Sequence, residues 1–322
     1  MLAEESLPDG LPALISSKAE GNPFFIEELV KSLQEAGTIR RSDEGWTLTE
    51  RLGDLIVPDT IQDVIAARID RLPEASKRVL QAASVMGRHF SHQLLDRIVE
   101  SGTRTETVVR ELTAIELIHE TRVFPDPEYT FKHALTQDVA YGSLLVQRRR
   151  ELHRVIAVTI EGLYGDRLTE QYEVLAHHFE KAEAWDKALE YLMRAADKAA
   201  RAFATRDALA LYDAADSMAN RRRDGVPVDT RMAIHRGRAE LYVLLSDFDR
   251  ARAEWDEVGR QARQTGDRHA EGGALVAMGQ ASWLGHHFDQ SLEGMFMSGI
   301  NFTGQGAYDR ALAVLKDGLA LA

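Results

Sequence analysis

Trp185-Asp186-Lys187-Ala188 is one copy of a short pattern that returns as Phe248-Asp249-Arg250-Ala251, Phe288-Asp289-Gln290-Ser291 and Tyr308-Asp309-Arg310-Ala311, with Thr205-Arg206-Asp207-Ala208 as a degenerate copy. Each full copy is an aromatic, then Asp, then a small residue two positions on. The pattern predicts helix starts in a stack of helical hairpins. The small residue lets neighbouring helices approach, and the aromatic fills the gap between hairpins. Expected packing positions are therefore Trp185, Ala188, Phe248, Ala251, Phe288, Ser291, Tyr308 and Ala311. Ala-rich helical patterning holds from about residue 134 to the end, without strand signals. Arg221-Arg222-Arg223-Asp224-Gly225-Val226-Pro227 is expected to separate two groups of helices.

The part before residue 134 reads differently. Pro23 disfavours the α region at Asn22 and suits the first helical position, so a helix is expected to start there. Phe25, Ile26, Leu29, Val30 and Leu33 fall on one face of it, and Gly37 is its expected stop. Thr38-Ile39-Arg40 and Trp46-Thr47-Leu48 flank Ser42-Asp43-Glu44-Gly45 as a short hairpin. From Pro58 the spacing predicts compact helices. Thr60 and Asp63 form a capping-box-like start ahead of Ile61, Val64, Ile65, Ile69 and Leu72. Pro73 opens the next helix and Gly87 ends it; Ser91 opens a third, closing near Gly102. Thr103 with Glu106 opens a fourth, carrying Val108, Val109, Leu112 and Ile115. Leu117–Val123 and Glu128–Phe131 then read as strands joined by Pro125-Asp126-Pro127. Short helices followed by a hairpin is winged-helix order.

Composition narrows the function classes. A net charge of −12 argues against nucleic acid as the main partner, because duplex binding requires Lys and Arg to neutralise phosphates. The chain has no cysteine, which removes disulfides and thiolate metal sites and fits a reducing cytosol. There is no run of 18 apolar residues and no secretion signal, so a cytoplasmic protein without a membrane span is expected. No G-x-x-x-x-G-K-[ST] loop occurs, nor a Ser nucleophile elbow, nor a dinucleotide fingerprint. No catalytic residue and no enzyme activity are expected of this chain.

Gly21–Leu33, Ile56–Leu72, Arg78–Phe90 and the run Tyr129-Thr130-Phe131-Lys132-His133-Ala134-Leu135-Thr136-Gln137-Asp138-Val139-Ala140-Tyr141 together resemble bacterial signal-transduction ATPases of the STAND class. More narrowly, they are similar to the region attached to class III adenylate/guanylate cyclases and to large transcriptional activators. The resemblance covers roughly residues 12–215. The tetrads resemble the second-helix start of a tetratricopeptide repeat, though their small positions are 20, 43, 40 and 20 residues apart, not the roughly 34 of the consensus. The resemblance implies a mainly α fold: an ATPase lid-like helical segment with a short hairpin over 1–57, a winged-helix domain over 58–133 and a TPR-like α-solenoid over 134–322. It also implies that ATP binding toggles lid and winged helix, and that the repeats sense a protein partner. The family's Gly-x-Pro turn falls on Gly21, Asn22 and Pro23, a partial adenine-side contact; the plain alternative is an N-P helix start. Because the phosphate loop, the Walker B acid and a cyclase metal site are missing, ATP and Mg are implied only for an ATPase core N-terminal to Met1. The opening Met1 is accordingly expected to mark a truncated gene, a gene fragment or an excised piece.

The remaining candidates read as structural. The helix at about 103–116 offers Arg104 and Arg110 to DNA but also Glu106, Glu111 and Glu116. Arg148-Arg149-Arg150 and Arg221-Arg222-Arg223 lack aromatic interleaving. Glu173 and His177 share a helical face beside His178 and Glu180, and His286-His287 forms a second pair, but no third metal ligand is evident. His133 is expected to be buried and hydrogen-bonded. Gly304-Gln305-Gly306 is a weak loop signal. The function expected is a non-catalytic regulatory region of a signalling ATPase. The alternatives are a free-standing repeat adaptor and, with less support, a DNA-binding regulator.

Overall fold

The computed structural model describes residues 8, 10–42, 45–49, 57–99, 104–222 and 225–292. Fourteen α-helices and five strands lie among them, so the protein is mainly helical. The chain divides into two compact units, Met1–Ile160 and Glu161–Ala322.

The first unit opens with α1 (Leu11–Ala19), α2 (Pro23–Glu35) and the antiparallel hairpin β1 (Ile39–Ser42)–β2 (Gly45–Leu48). Asn22 caps α2 by accepting hydrogen bonds from the amides of Phe24 (3.1 Å) and Phe25 (3.3 Å), satisfying donors that the first turn leaves free. Gly37, at φ 71°, stops the helix. The Thr38 amide donates to the Leu33 carbonyl and the Gly37 amide to that of Gln34, each at 2.9 Å, a Schellman closure. Leu11, Ile15, Phe25, Leu29, Leu33 and Ile39 bury against one another, and Val64 of α3 (Ile61–Asp70) completes this core.

Next come α4 (Glu74–Met86), β3 (His89–Ser91), α5 (His92–Ile98), α6 (Thr105–Ala114), β4 (Ile118–Arg122) and β5 (Glu128–Phe131). The sheet order is β3-β5-β4, antiparallel throughout, with Phe90 opposite Tyr129 and Ile118 opposite Phe131. The strand β3 is absent from the sequence expectation, because its pairing partner lies some forty residues away and only three residues take part. Two expected caps differ. Thr60 accepts from the Asp63 amide at 3.2 Å but donates to the Asp63 carboxylate, so only half of a capping box forms. The fourth helix starts at Thr105 with Arg104 at its N-cap, and Thr103 lies outside the described residues. Helices α7 (Ala134–Gly142) and α8 (Val146–Tyr164) follow. Helix α7 packs on α3 and α4, and the first unit runs to Ile160.

The second unit has a 3-10 segment (Gly165–Gln171), then α9 (Tyr172–Lys181), α10 (Trp185–Arg201), α11 (Thr205–Arg221), α12 (Val228–Leu244), α13 (Phe248–Thr265) and α14 (Arg268–Leu292). Sequence neighbours pack in succession from α9 to α14. One corner recurs. Glu183, Phe203, Ser246 and Gly266 each adopt positive φ after a helix. The next residue donates back five positions: Ala184 to Phe179, Ala204 to Ala199, Asp247 to Tyr242 and Asp267 to Ala262, all at 2.9 Å. That residue then precedes the first residue of the next helix.

The tetrads sit just past these corners. Ala188, Ala208 and Ala251 are fully buried where adjoining helices meet. Trp185, however, is 39% exposed. Phe288 and Ser291 lie inside the continuous helix α14, not at a helix start. Their side chains, and Tyr308 and Ala311, lie outside the described residues. The uneven spacing has a plain cause: 185 and 205 begin successive helices, whereas 205 and 248 are separated by two helices and the 222–227 link.

Candidate functional site

Gly21, Asn22 and Pro23 form an exposed turn at the N-terminal end of α2. Gly21 takes φ 80°, a conformation that glycine adopts without strain. Behind the turn, the Phe24 ring meets the His133 imidazole with centroids 3.8 Å apart. His133 sits at the junction of β5 and α7, so the turn is backed by the end of the sheet.

The side of α2 away from its apolar core is charged. Lys31 pairs with Glu27 at 2.6 Å and with Glu116 at 2.5 Å. Lys132, at the end of β5, pairs with the same two carboxylates at 2.9 and 2.5 Å. Glu116 is presented by a left-handed residue (φ 60°) closing α6. Deeper in, Arg68 of α3 is 2% exposed and ion-paired to Glu28 and Glu35. Its Nε donates to Glu35 at 2.9 Å and its Nη2 to the Ile115 carbonyl at 3.0 Å. Arg71 adds a hydrogen bond to Ser32 Oγ at 3.1 Å. Eight charged groups thus tie α2 to α3, the end of α6 and the end of β5.

The electrostatics follow from this packing. Hydrogen bonds from Lys31 and then Lys132 hold Glu27 down at about 2. Glu116 is held at about 2 by the same lysines, Lys132 first. Burial acts to depress the Arg68 guanidinium, but the hydrogen bond to Glu35 and the Glu28 charge outweigh it and raise its pKa. Burial lowers the His133 imidazole below its ordinary value. Its Nε2 is enclosed without a hydrogen-bond partner, which departs from the hydrogen-bonded histidine expected there.

Glu27, Glu28 and His133 bring three ligand atoms within 4.8 Å of one another. Both carboxylates are ion-paired, Glu27 with Lys31 and Lys132 and Glu28 with Arg68. The Glu173–His177 candidate is used otherwise: Glu173 pairs with Lys198 at 2.5 Å and His178 is buried. The side chains of His286 and His287 lie outside the described residues. In the basic runs, Arg149 donates to the Leu144 carbonyl at 3.0 Å and lies over Tyr141, and Arg222 pairs with Asp186 at 2.5 Å. Arg110 of α6 pairs with Glu106 one turn before it. No described helix is long and apolar enough to cross a membrane.

Residues 3–44 match a family described as a domain of unknown function (DUF8739). The match takes in α1, the Gly21–Pro23 turn and α2. No curated protein matches the sequence.

Sequence reasoning pointed to the exposed turn but missed Arg68. A lone arginine at the end of Ile61-Gln62-Asp63-Val64-Ile65-Ala66-Ala67-Arg68 reads as a solvated residue in a helix. Its position on the apolar side, four residues after Val64, was the available signal.

Proposed function

We propose that this chain is the non-catalytic regulatory region of a STAND-type signal-transduction ATPase of the cyclase-associated or transcriptional-activator kind. In this reading residues 58–133 are a winged helix, the helices beyond are TPR-like, and the protein is cytoplasmic. A protein partner binds the repeats, and its arrival is relayed to a P-loop core that supplies ATP and Mg chemistry. Gly21, Asn22 and Pro23 contribute at most one side of an adenine pocket. Nucleic acid is not a partner on this account, since α6 offers Glu106 and Glu111 beside its Arg110.

The observation that supports the relay is the ionic network around Arg68. It fastens α2, with the exposed turn at its start, to α3 and to the ends of α6 and β5. A displacement at either end is therefore passed on by a rigid body, which is what a switch element requires. Native-state hydrogen exchange tests this. Amides of α2 and of α3 should open together in the wild type and separately in Arg68→Met. If α2 already exchanges independently in the wild type, the relay reading fails.

A further inference from the structure

The two charged attachments of α2 end on one corner, between α6 and β4. Arg68 donates to the Ile115 carbonyl, and Lys31 and Lys132 pair with the carboxylate of the next residue, Glu116. The Glu116 amide donates to the Thr113 carbonyl at 3.0 Å and the Leu117 amide to that of Leu112 at 3.1 Å. This is the closure that ends α2 at Gly37. There a glycine takes the left-handed position; here Glu116 takes it, at φ 60°. A Cβ in that conformation crowds the following carbonyl oxygen, a cost that glycine avoids.

The attachments also differ in their access to water. The side chains of Arg68 and Glu28 are 1% and 2% exposed, and buried pairs are screened little by salt. Glu27, Lys31, Glu116 and Lys132 instead form an outer ring in which each lysine meets both carboxylates, with Glu116 53% exposed. Pairs of this kind are weak singly and weaken further as ions accumulate. A glycine at 116 would close α6 at lower cost and hold nothing. Glutamate gives up helix-end stability for a hold on α2.

We propose that Glu116 is a strained, ion-sensitive latch on α2. Its carboxylate holds α2 against the ends of α6 and β5, while its backbone favours leaving the left-handed conformation. Rising ionic strength screens the ring, the corner relaxes, and α2 loosens together with the exposed Gly21–Pro23 turn. Arg68 stays paired, so the outer ring opens before the inner contact. The latch rests on the relay reading for its purpose and adds the order in which the contacts part.

Native-state hydrogen exchange of the full chain at about 0.05 M and about 1 M NaCl tests this, in the wild type, Glu116→Gln and Glu116→Gly. In the wild type, α2 amides should open with those of α3 at low salt and about tenfold more often than α3 at high salt. Both variants should show the faster α2 opening already at low salt and respond little to salt. Glu116→Gln keeps the strain and loses the charge, whereas Glu116→Gly loses both, so the glycine variant should have the higher thermal unfolding midpoint. Wild-type α2 that stays with α3 at both salts overturns the latch and leaves the relay intact. So does α2 protection unchanged in Glu116→Gly, or a glycine variant no more stable than the glutamine one. Opening of α2 alone in the wild type at low salt overturns relay and latch together.

Discussion

Arg68 is the residue at which a single change should harm the first unit most. Its guanidinium is buried with Glu28 and reaches Glu35 and the Ile115 carbonyl. Removing one member of a buried pair leaves the other charge uncompensated, at a cost of about 3–5 kcal/mol. Arg68→Met should therefore lower the unfolding free energy of the first unit by that amount in urea titrations. A loss under about 1 kcal/mol would mean that water already screens the pair. Replacing Arg68 and Glu28 together with apolar residues should recover much of the loss. Gly237 offers a comparable test in the second unit. Glycine inside a helix costs about 1 kcal/mol relative to alanine, yet here it admits the Tyr212 ring. Gly237→Ala should be destabilising by about 1–3 kcal/mol despite its better helix propensity. Tyr212 also donates to Asp197 at 2.5 Å, so moving the ring strains a second helix contact. Combining Gly237→Ala with Tyr212→Leu should cost less than the sum of the two single changes.

At the scale of elements, the contact between α2 and the ends of α6 and β5 is charged, and this gives the first unit a definite acid sensitivity. Glu27 and Glu116 have folded-state pKa values lowered from 4.5 to about 2. A depressed carboxylate stabilises the fold above its unfolded pKa, and that contribution is lost as pH falls through the folded value. Stability should thus decline between about pH 4.5 and pH 2. Lys132→Met should flatten the decline, and unfolding midpoints measured against pH would reveal it; an unaltered slope would deny the pairing. Because both side chains are partly exposed, the effect is reduced by solvent. The same elements indicate what a sequence can and cannot reveal. The start of α2 at Pro23 and its stop at Gly37 were legible, since each depends on neighbours within a turn. The exposed Gly21–Pro23 turn was legible for the same reason. The Arg68 network was not, because its partners lie 33, 40 and 47 residues away. Nor were the corners at Glu183, Phe203 and Ser246, where ordinary residues occupy a conformation that glycine would have signalled.

For the whole molecule, one unit holds α2 on the α3–α6–β5 body by ion pairs, and the other stacks helices through repeated corners. The proposed function assigns the first to relay and the second to partner binding, with catalysis supplied by a core outside this chain. Acidic composition and the absence of a phosphate loop from the sequence agree with that division. The most direct test is to read the DNA that precedes the Met1 codon. The account predicts a continuous open frame encoding a G-x-x-x-x-G-K-[ST] loop, with a cyclase or other effector domain beyond it. An in-frame stop followed by a promoter would contradict it, leaving an independent adaptor without nucleotide control.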